Sequence, residues 1–430
     1  MGRLTHGLAR LRASGGTRSG AQLAVASAVW TAASALFSLI CIRFLGSERF
    51  GDVATMSALG TVVAIPLGSI QSLLAREAAE YRAAGDHAAV GSLFRRHVRA
   101  AAIWSAAATA VLIALSVPIG HLTNVGSYLV VAIGLAVVPF YAVGFVLNGF
   151  LQGLQRFKSL AGQMALSGLA RPLMVVPVFL VGFGAGGALG VNVLASALAV
   201  LLGFLGLRDL AHGPRSDVHP RMDRREVAIL LGGTLAFASL TNLDVVMANS
   251  LLTDREGGLY AGASVVAKLI LFFPVVVSTV LLPKATSRAA EGRSSTAMLR
   301  LSVLVTAGVA LAAAGVLRLV PESLVVSAFG EDFRGTGALL GRFGLAMALM
   351  GVINVLLYYY LAYRRPGFPL LVGAGAIAQI VGFSVWHPDP GSLIWVSLAC
   401  GAGVLVLHEV FFEAGLVRSL IGRRAAATAG

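Results

Sequence analysis

Twelve apolar runs, separated by short polar connections, organise the chain: near 22–44, 53–75, 100–120, 127–150, 159–182, 186–207, 227–250, 259–283, 301–320, 336–362, 367–386 and 392–412. Each is about 20 residues or longer, which as α-helix crosses the ~30 Å hydrocarbon core of a bilayer. A transmembrane barrel would instead show alternating segments of ~10 residues, and the sequence has none. The pattern predicts an all-α polytopic membrane protein with about 12 transmembrane helices.

Composition supports this reading. The 430 residues are 57% hydrophobic and only 12% charged, too little charge to cover the surface of a soluble chain of this size. Cys41 and Cys400 lie inside apolar runs, far apart, and read as small buried hydrophobes with no disulfide or metal-ligand spacing. The basic leader 1–21 precedes an apolar run too long for a signal-peptide core, so it reads as a cytoplasmic leader.

Basic residues alternate between connections. Arg3, Arg10, Arg12 and Arg18, then Arg76, Arg82, Arg95, Arg96 and Arg99, and further groups near 156, 208–225, 284–300, 364 and 418–424 all fall on one side. These groups hold most of the 33 Lys and Arg, and the positive-inside rule places both termini in the cytoplasm. The net charge of +14 is thereby a topology signal with some attraction to anionic membrane lipids; no basic patch with interleaved aromatics suggests nucleic acid.

The runs divide six and six. A shift of 207 residues carries Gly51, Ala54 and Ser57 onto Gly258, Ala261 and Ser264, and Pro66 nearly onto Pro274. Six crossings per half would bring both halves in from the same side, as a parallel repeat about an axis along the membrane normal. The expected organisation is a leader at 1–21, a six-helix bundle at 22–207, a basic cytoplasmic linker at 208–226, a second six-helix bundle at 227–412, and a cytoplasmic tail at 413–430.

Four ionisable residues fall well inside the runs: Arg171, Asp244, Lys268 and Arg342. At 1.5 Å per residue they lie roughly 10–17 Å from the outer helix ends. A charge at such depth costs about 2.5–3.5 kcal/mol or more, so each calls for a partner or a ligand. Asp244 and Lys268 sit at nearly equal depth on consecutive antiparallel helices and can meet, either as a structural pair or as an ion-coupling site. Arg171, Arg342 and Arg43, at the outer end of the first run, add positive charge with no evident partner; with Lys268 they define a candidate site for an anionic headgroup, since arginine's planar fork suits phosphate. Pro172 follows Arg171 and can free a helix carbonyl there. On the seventh run Thr234, Thr241, Asn242 and Asn249 fall within about 100° of arc, with Asp244 to one side. These residues, together with Gln71 on the second run, are candidate cavity-lining positions.

No phosphate-binding loop, HExxH or GxSxG motif is present. The sequence therefore predicts no enzyme activity, no metal and no cofactor, with coupling to an H+ or Na+ gradient left open.

These features together resemble the Wzx-type polysaccharide flippases of the multidrug/oligosaccharidyl-lipid/polysaccharide exporter (MOP) superfamily. "IRFLGSERFGDVATMSAL" (42–59), carrying Arg43, Leu45, Gly46, Phe50 and Gly51, is similar to that family's first helix-to-helix junction. "NGFLQGLQRF" (148–157) resembles its inward junction after the fourth helix, and "NLDVVMANSLLTDREGGLYAGAS" (242–264) its seventh-to-eighth helix region. The resemblance implies two six-helix lobes around a cavity in a bacterial cytoplasmic membrane. It also implies flipping of an undecaprenyl-diphosphate-linked oligosaccharide by alternating access, alongside a polysaccharide polymerase or glycosyltransferases. A cation-coupled multidrug antiporter of the same superfamily and a non-transporting scaffold of a polysaccharide synthesis complex are the alternatives.

Overall fold

The structure, a computed structural model, describes residues 2–212, 216, 223–272, 274 and 296–412. The expected 208–226 linker is thus described mainly at its ends, and the eighth apolar run only as far as Phe272 and Pro274. The 413–430 tail lies outside the described residues, as do Arg215, Arg221, Lys284, Arg288, Arg293, Arg418, Arg423 and Arg424.

Every regular element among the described residues is helical. In chain order they are α1 Gly2–Ala83, α2 His87–Ala114, α3 Ser116–Thr123, α4 Tyr128–Leu135, α5 Val138–Gly153, α6 Phe157–Leu180, α7 Ala185–Leu205 and α8 Arg208–Ala211. There follow α9 Arg224–Leu251, α10 Asp254–Ala267 with a 3-10 turn at Lys268–Leu271, α11 Thr296–Arg318, and α12 Glu322–Phe329 with a second 3-10 turn at Glu331–Phe333. The last three are α13 Gly337–Ala362, α14 Gly367–Val385 and α15 Pro390–Phe411. Ten helical segments among the described residues are long and apolar enough to cross a membrane. Large apolar side chains such as Trp104, Leu173 and Leu180 are more than two-thirds exposed, as expected of surfaces facing lipid. This is a multi-pass membrane protein.

The first two predicted spans differ from expectation in how they join. In place of an outward loop, α1 runs helical through both, with a single break at Gly46 (φ 70°, ψ 177°). That backbone conformation is open essentially to glycine alone, and a side chain there would also approach the Asp332 carboxylate at 2.8 Å. One residue redirects the chain where a loop was expected.

The described residues fall into two compact units. The first draws on Met1–Phe44, Leu67–Gly120 and Gly126–Met222. One end of it is a packed cluster: Leu74 and Ala78 of α1, Leu93 and Phe94 of α2, and Leu147, Phe150 and Leu151 of α5. Phe94 meets Phe150 edge-on at 5.4 Å between ring centres. Asp86 caps α2 by accepting from the Ala89 N–H at 2.9 Å. The basic residues of this end take up helix C-terminal carbonyls: Arg82 donates to Leu154 O (2.9 Å), Arg95 to Leu210 O (2.9 Å) and Arg156 to Gly206 O (2.7 Å). Arg156 also grips Asp209 through both guanidinium nitrogens at 2.5 and 2.6 Å. That grip holds the Asp209 carboxyl below its ordinary pKa.

The second unit draws on Leu45–Pro66, His121–Val125 and Asp223–Gly430. The part of α1 beyond the Gly46 break thus packs here. Gly258 of α10 lies so close to Ser47 that an added Cβ would collide with the Ser47 carbonyl, and a Cβ on Gly51 would collide with the Asn249 amide oxygen. Asn249 donates to the Thr123 carbonyl at 2.9 Å, binding the 121–125 segment into the same unit. Local signals start the helices: Asp223 caps α9, Thr253 and Glu256 form a reciprocal capping box on α10, and Asp389 with Ser392 does so on α15. The helix α13 is the most enclosed, with Phe343, Met350, Ile353, Val355 and Leu357 buried.

Candidate functional site

The second unit contains buried polar groups on four of its helices. Asp244 of α9 is 1% exposed. Its Oδ1 accepts from Lys268 Nζ at 3.1 Å and its Oδ2 from the Tyr260 hydroxyl at 3.1 Å. Tyr260, fully buried, packs its ring against Phe343 at 4.9 Å between centroids. Elsewhere in the same unit the buried Ser397 of α15 accepts from Gln379 Nε2 of α14 at 2.9 Å.

The two carboxylate oxygens thereby have an ammonium and a phenol as donors, and the charge is neutralised where it is buried. Pairing of this quality is what a buried ion requires, because its desolvation cost is several kcal/mol. Lys268 sits where the regular helix α10 ends and a 3-10 turn begins. A tightened turn inside a span is a position at which a helix can change course.

The other sequence-identified positions of this unit have separate settings. Asn242 donates to Ala238 O and to the Thr241 hydroxyl, both at 3.0 Å, while Thr241 donates to Phe237 O at 2.8 Å. Both are buried and bonded within their own helix. Asn249 is committed to the 123–124 carbonyls. The Arg342 guanidinium lies beside Gly391 at the start of α15, 3.1 Å from where a Cβ on that glycine would stand. No hydrogen bond or ion pair among the described residues joins Arg342 to Lys268 or Asp244.

In the first unit, Arg171 of α6 stacks over the Trp30 ring of α1 at 5.4 Å and donates from Nη1 to the Ser34 hydroxyl at 3.3 Å. Its Nε is buried without a hydrogen bond. Arg43 is exposed near the end of this unit's α1 segment. Gln71 pairs with Gln152 of α5 at 3.2 Å. Tyr260, Ser397, Gln379, Trp30 and Ser34 are site residues that the sequence reading did not single out. Among them only Gln379, an amide within an apolar run, carries a signal of its own. Among the described residues no group of His, Cys, Asp or Glu is placed to hold a metal ion.

With every regular element among the described residues helical, and with charged side chains set inside its spans, the chain has the fold of a MOP-superfamily membrane transporter. An inward-facing multidrug resistance MATE family transporter superposes with a TM-score of 0.71 at 13% identity, covering 93% of this chain and 95% of that one. The lipid II flippase MurJ, in an inward closed conformation, gives 0.67 at 14% identity over 90% and 86%. A MOP superfamily transporter from Pyrococcus furiosus, described as having a binding pocket of reverse polarity, gives 0.56 at 15% identity over 95% of each chain. No curated protein matches the sequence. The profile of the polysaccharide biosynthesis protein family matches residues 18–288, and the chain belongs to that family.

Proposed function

We propose that the protein flips a lipid-linked oligosaccharide, carried on undecaprenyl diphosphate, from the inner to the outer leaflet of a bacterial cytoplasmic membrane by alternating access. Membership in the polysaccharide biosynthesis family is the observation that carries the reading. The intramembrane charges fit it. Arg171 is a guanidinium set in a span with no carboxylate partner among the described residues, and such a charge is retained where an anionic group visits. Arg43 in the first unit, and Lys268 and Arg342 in the second, are the further cations we assign to the substrate's headgroup. Asn242, Asn249, Thr241 and Gln71 are assigned to the polar lining of the pathway.

The proposal includes two six-helix halves, 22–207 and 227–412, joined by the basic 208–226 linker, with both termini in the cytoplasm. The close approach of Gly51 to Gly258 supports the duplication. These are the glycines that the 207-residue shift superposes, and a Cβ on the first would come within 3.7 Å of the backbone N of the second. A pseudo-twofold axis would bring equivalent residues together in this way. A polymerase or glycosyltransferases acting on the same glycan are the expected partners.

The multidrug antiporter reading draws on the MATE likeness, which at 13% identity speaks for the fold alone. Asp244, the deep acid that a cationic drug or coupling ion would need, is already occupied by Lys268 and Tyr260. The deciding experiment complements a strain lacking the protein with Arg171→Ala and Arg342→Ala separately and measures surface polysaccharide. Export should fall at least about tenfold for Arg171→Ala, the loss expected on removing a charge-assisted contact. Normal export from both variants would refute the headgroup assignment.

A further inference from the structure

The end of the first unit at which α5 closes carries four amide side chains: Gln71 of α1, Asn148 and Gln152 of α5, and Gln163 of α6. Two glycines bring the helices together there. Gly149 and Gly153 lie one turn apart on α5. A Cβ on the first would stand 2.9 Å from the Gln71 carbonyl oxygen, and one on the second would collide with the Ala75 carbonyl. Small residues at this spacing are what lets two membrane helices approach so closely. The approach sets Gln71 Nε2 at 3.2 Å from Gln152 Oε1. From α6, Gln163 Nε2 donates to Asn148 Oδ1 at 2.8 Å.

These two hydrogen bonds fix what the amides of α5 present. Asn148 and Gln152 are one turn apart on one face, with Cβ atoms about 5–6 Å from each other. Each has its oxygen engaged and so offers its N–H groups, while Gln71 offers its oxygen. None of these offered groups has a further hydrogen bond among the described residues. Gln152 is exposed, and Gln71 and Asn148 are half-buried. Gln163, only 4% exposed, holds Asn148 in place from behind. Amides turned toward acyl chains would leave these groups unmet at several kcal/mol each. The face therefore belongs to water or to a polar ligand.

We propose that Gln71, Asn148 and Gln152 form a sugar-binding face in the first unit, with Gln163 as a positioning residue. The ligand chemistry it fits is the hydroxyls of a neutral glycan. A hydroxyl both donates and accepts, and a pyranose ring carries hydroxyls at separations that side chains one turn apart can reach. A phosphate, which only accepts, would leave Gln71 Oε1 unmet. The nearest cation along α5, Arg156, is committed to Asp209 and to the Gly206 carbonyl. The inference rests on the proposed transport of a lipid-linked oligosaccharide, and it names residues that read the sugar rather than the diphosphate. The segment "NGFLQG" (148–153) thereby has two roles, packing through its glycines and recognition through its amides.

Undecaprenyl diphosphate, bare or carrying cellobiose, is titrated onto the full chain in lipid nanodiscs, and bound lipid is counted by native mass spectrometry. The ratio of the two affinities is the readout, because a loss of packing weakens both lipids alike and leaves the ratio unmoved. The parent should hold the sugar-bearing lipid at least about tenfold more tightly, as expected for two or three hydrogen bonds. Gln152→Leu and Gln71→Leu should each lower the ratio about threefold or more, with affinity for the bare lipid unchanged. Gln163→Met, which frees the Asn148 oxygen, should lower it about twofold. Gln152 is exposed, so Gln152→Leu decides alone if a more buried variant does not fold.

A parent ratio near one, or a parent-like ratio in folded Gln152→Leu, would overturn the sugar face. Either result leaves the transport reading standing, since binding through the headgroup alone satisfies it. Binding of neither lipid would remove the transport reading and the sugar face with it. Arg171→Ala should weaken both lipids and keep the ratio, so the headgroup and sugar assignments fail separately.

Discussion

The Asp244 carboxylate has a donor on each oxygen, and this makes its two partners unequal in consequence. Lys268 carries the countercharge, so Lys268→Ala leaves an uncompensated carboxylate in a site 1% exposed. Breaking a buried pair from one side costs about 3–5 kcal/mol. Asp244→Asn in the same background removes the stranded charge and should recover most of that loss. Unfolding midpoints in detergent for the two single variants and the double variant measure the coupling. Additive effects would show that the ammonium and the carboxylate do not depend on each other. The meeting of these residues was legible from depth along consecutive antiparallel helices. Tyr260, Ser397 and Gln379 were not, because which faces of α10, α14 and α15 turn toward α9 depends on packing that a helical wheel does not contain. Trp30 was equally hidden: an aromatic in an apolar run looks like any lipid-facing residue until α6 places a guanidinium above it.

At the scale of elements, positions of helices were readable from the length of the apolar runs, while the junctions depended on single backbone conformations. The break at Gly46 replaced a predicted loop, since a glycine at φ 70° turns the chain within one residue. The contact between α10 and the outer part of α1 rests on the absence of a side chain. At Gly258 a Cβ would collide with the Ser47 carbonyl, whereas at Gly232 of α9 nothing lies within 4 Å. Gly258→Ala should therefore destabilise by about 1–3 kcal/mol, the usual cost of overpacking. Gly232→Ala should be neutral or stabilise by up to about 1 kcal/mol through helix propensity. Thermal unfolding of the two variants side by side tests this; equal midpoints would mean that the close approach contributes nothing. The same alanine sets a methyl group against the Ser47 backbone, so surface polysaccharide on the Gly258→Ala strain reports whether transport needs that close approach.

For the whole molecule the open quantity is the parity of crossings. Ten helical segments among the described residues are long enough to span, and one of them, 22–83, is divided at Gly46 into two. The eighth apolar run is described as helix and 3-10 turn up to Phe272. It needs its remaining residues, to about 283, to complete a further crossing. Twelve crossings return the chain to the side from which it started; eleven do not. The distribution of arginines independently predicts that the leader and the connections near 76–99, 156–158, 208–225 and 364–365 face the cytoplasm. Those of the first unit are seen tying down helix C-termini at one end, as Arg82, Arg95 and Arg156 do. A fluorescent reporter that folds only in the cytoplasm, fused in separate strains after residue 430 and before residue 1, should be bright in both. Alkaline phosphatase, active only outside, should be active when inserted in the 387–390 turn before α15 and inactive at either terminus. A dark C-terminal fluorescent fusion with an active phosphatase there would mean an odd number of crossings. The two halves would then hold unequal numbers of crossings, and the repeat of six and six would have to be abandoned.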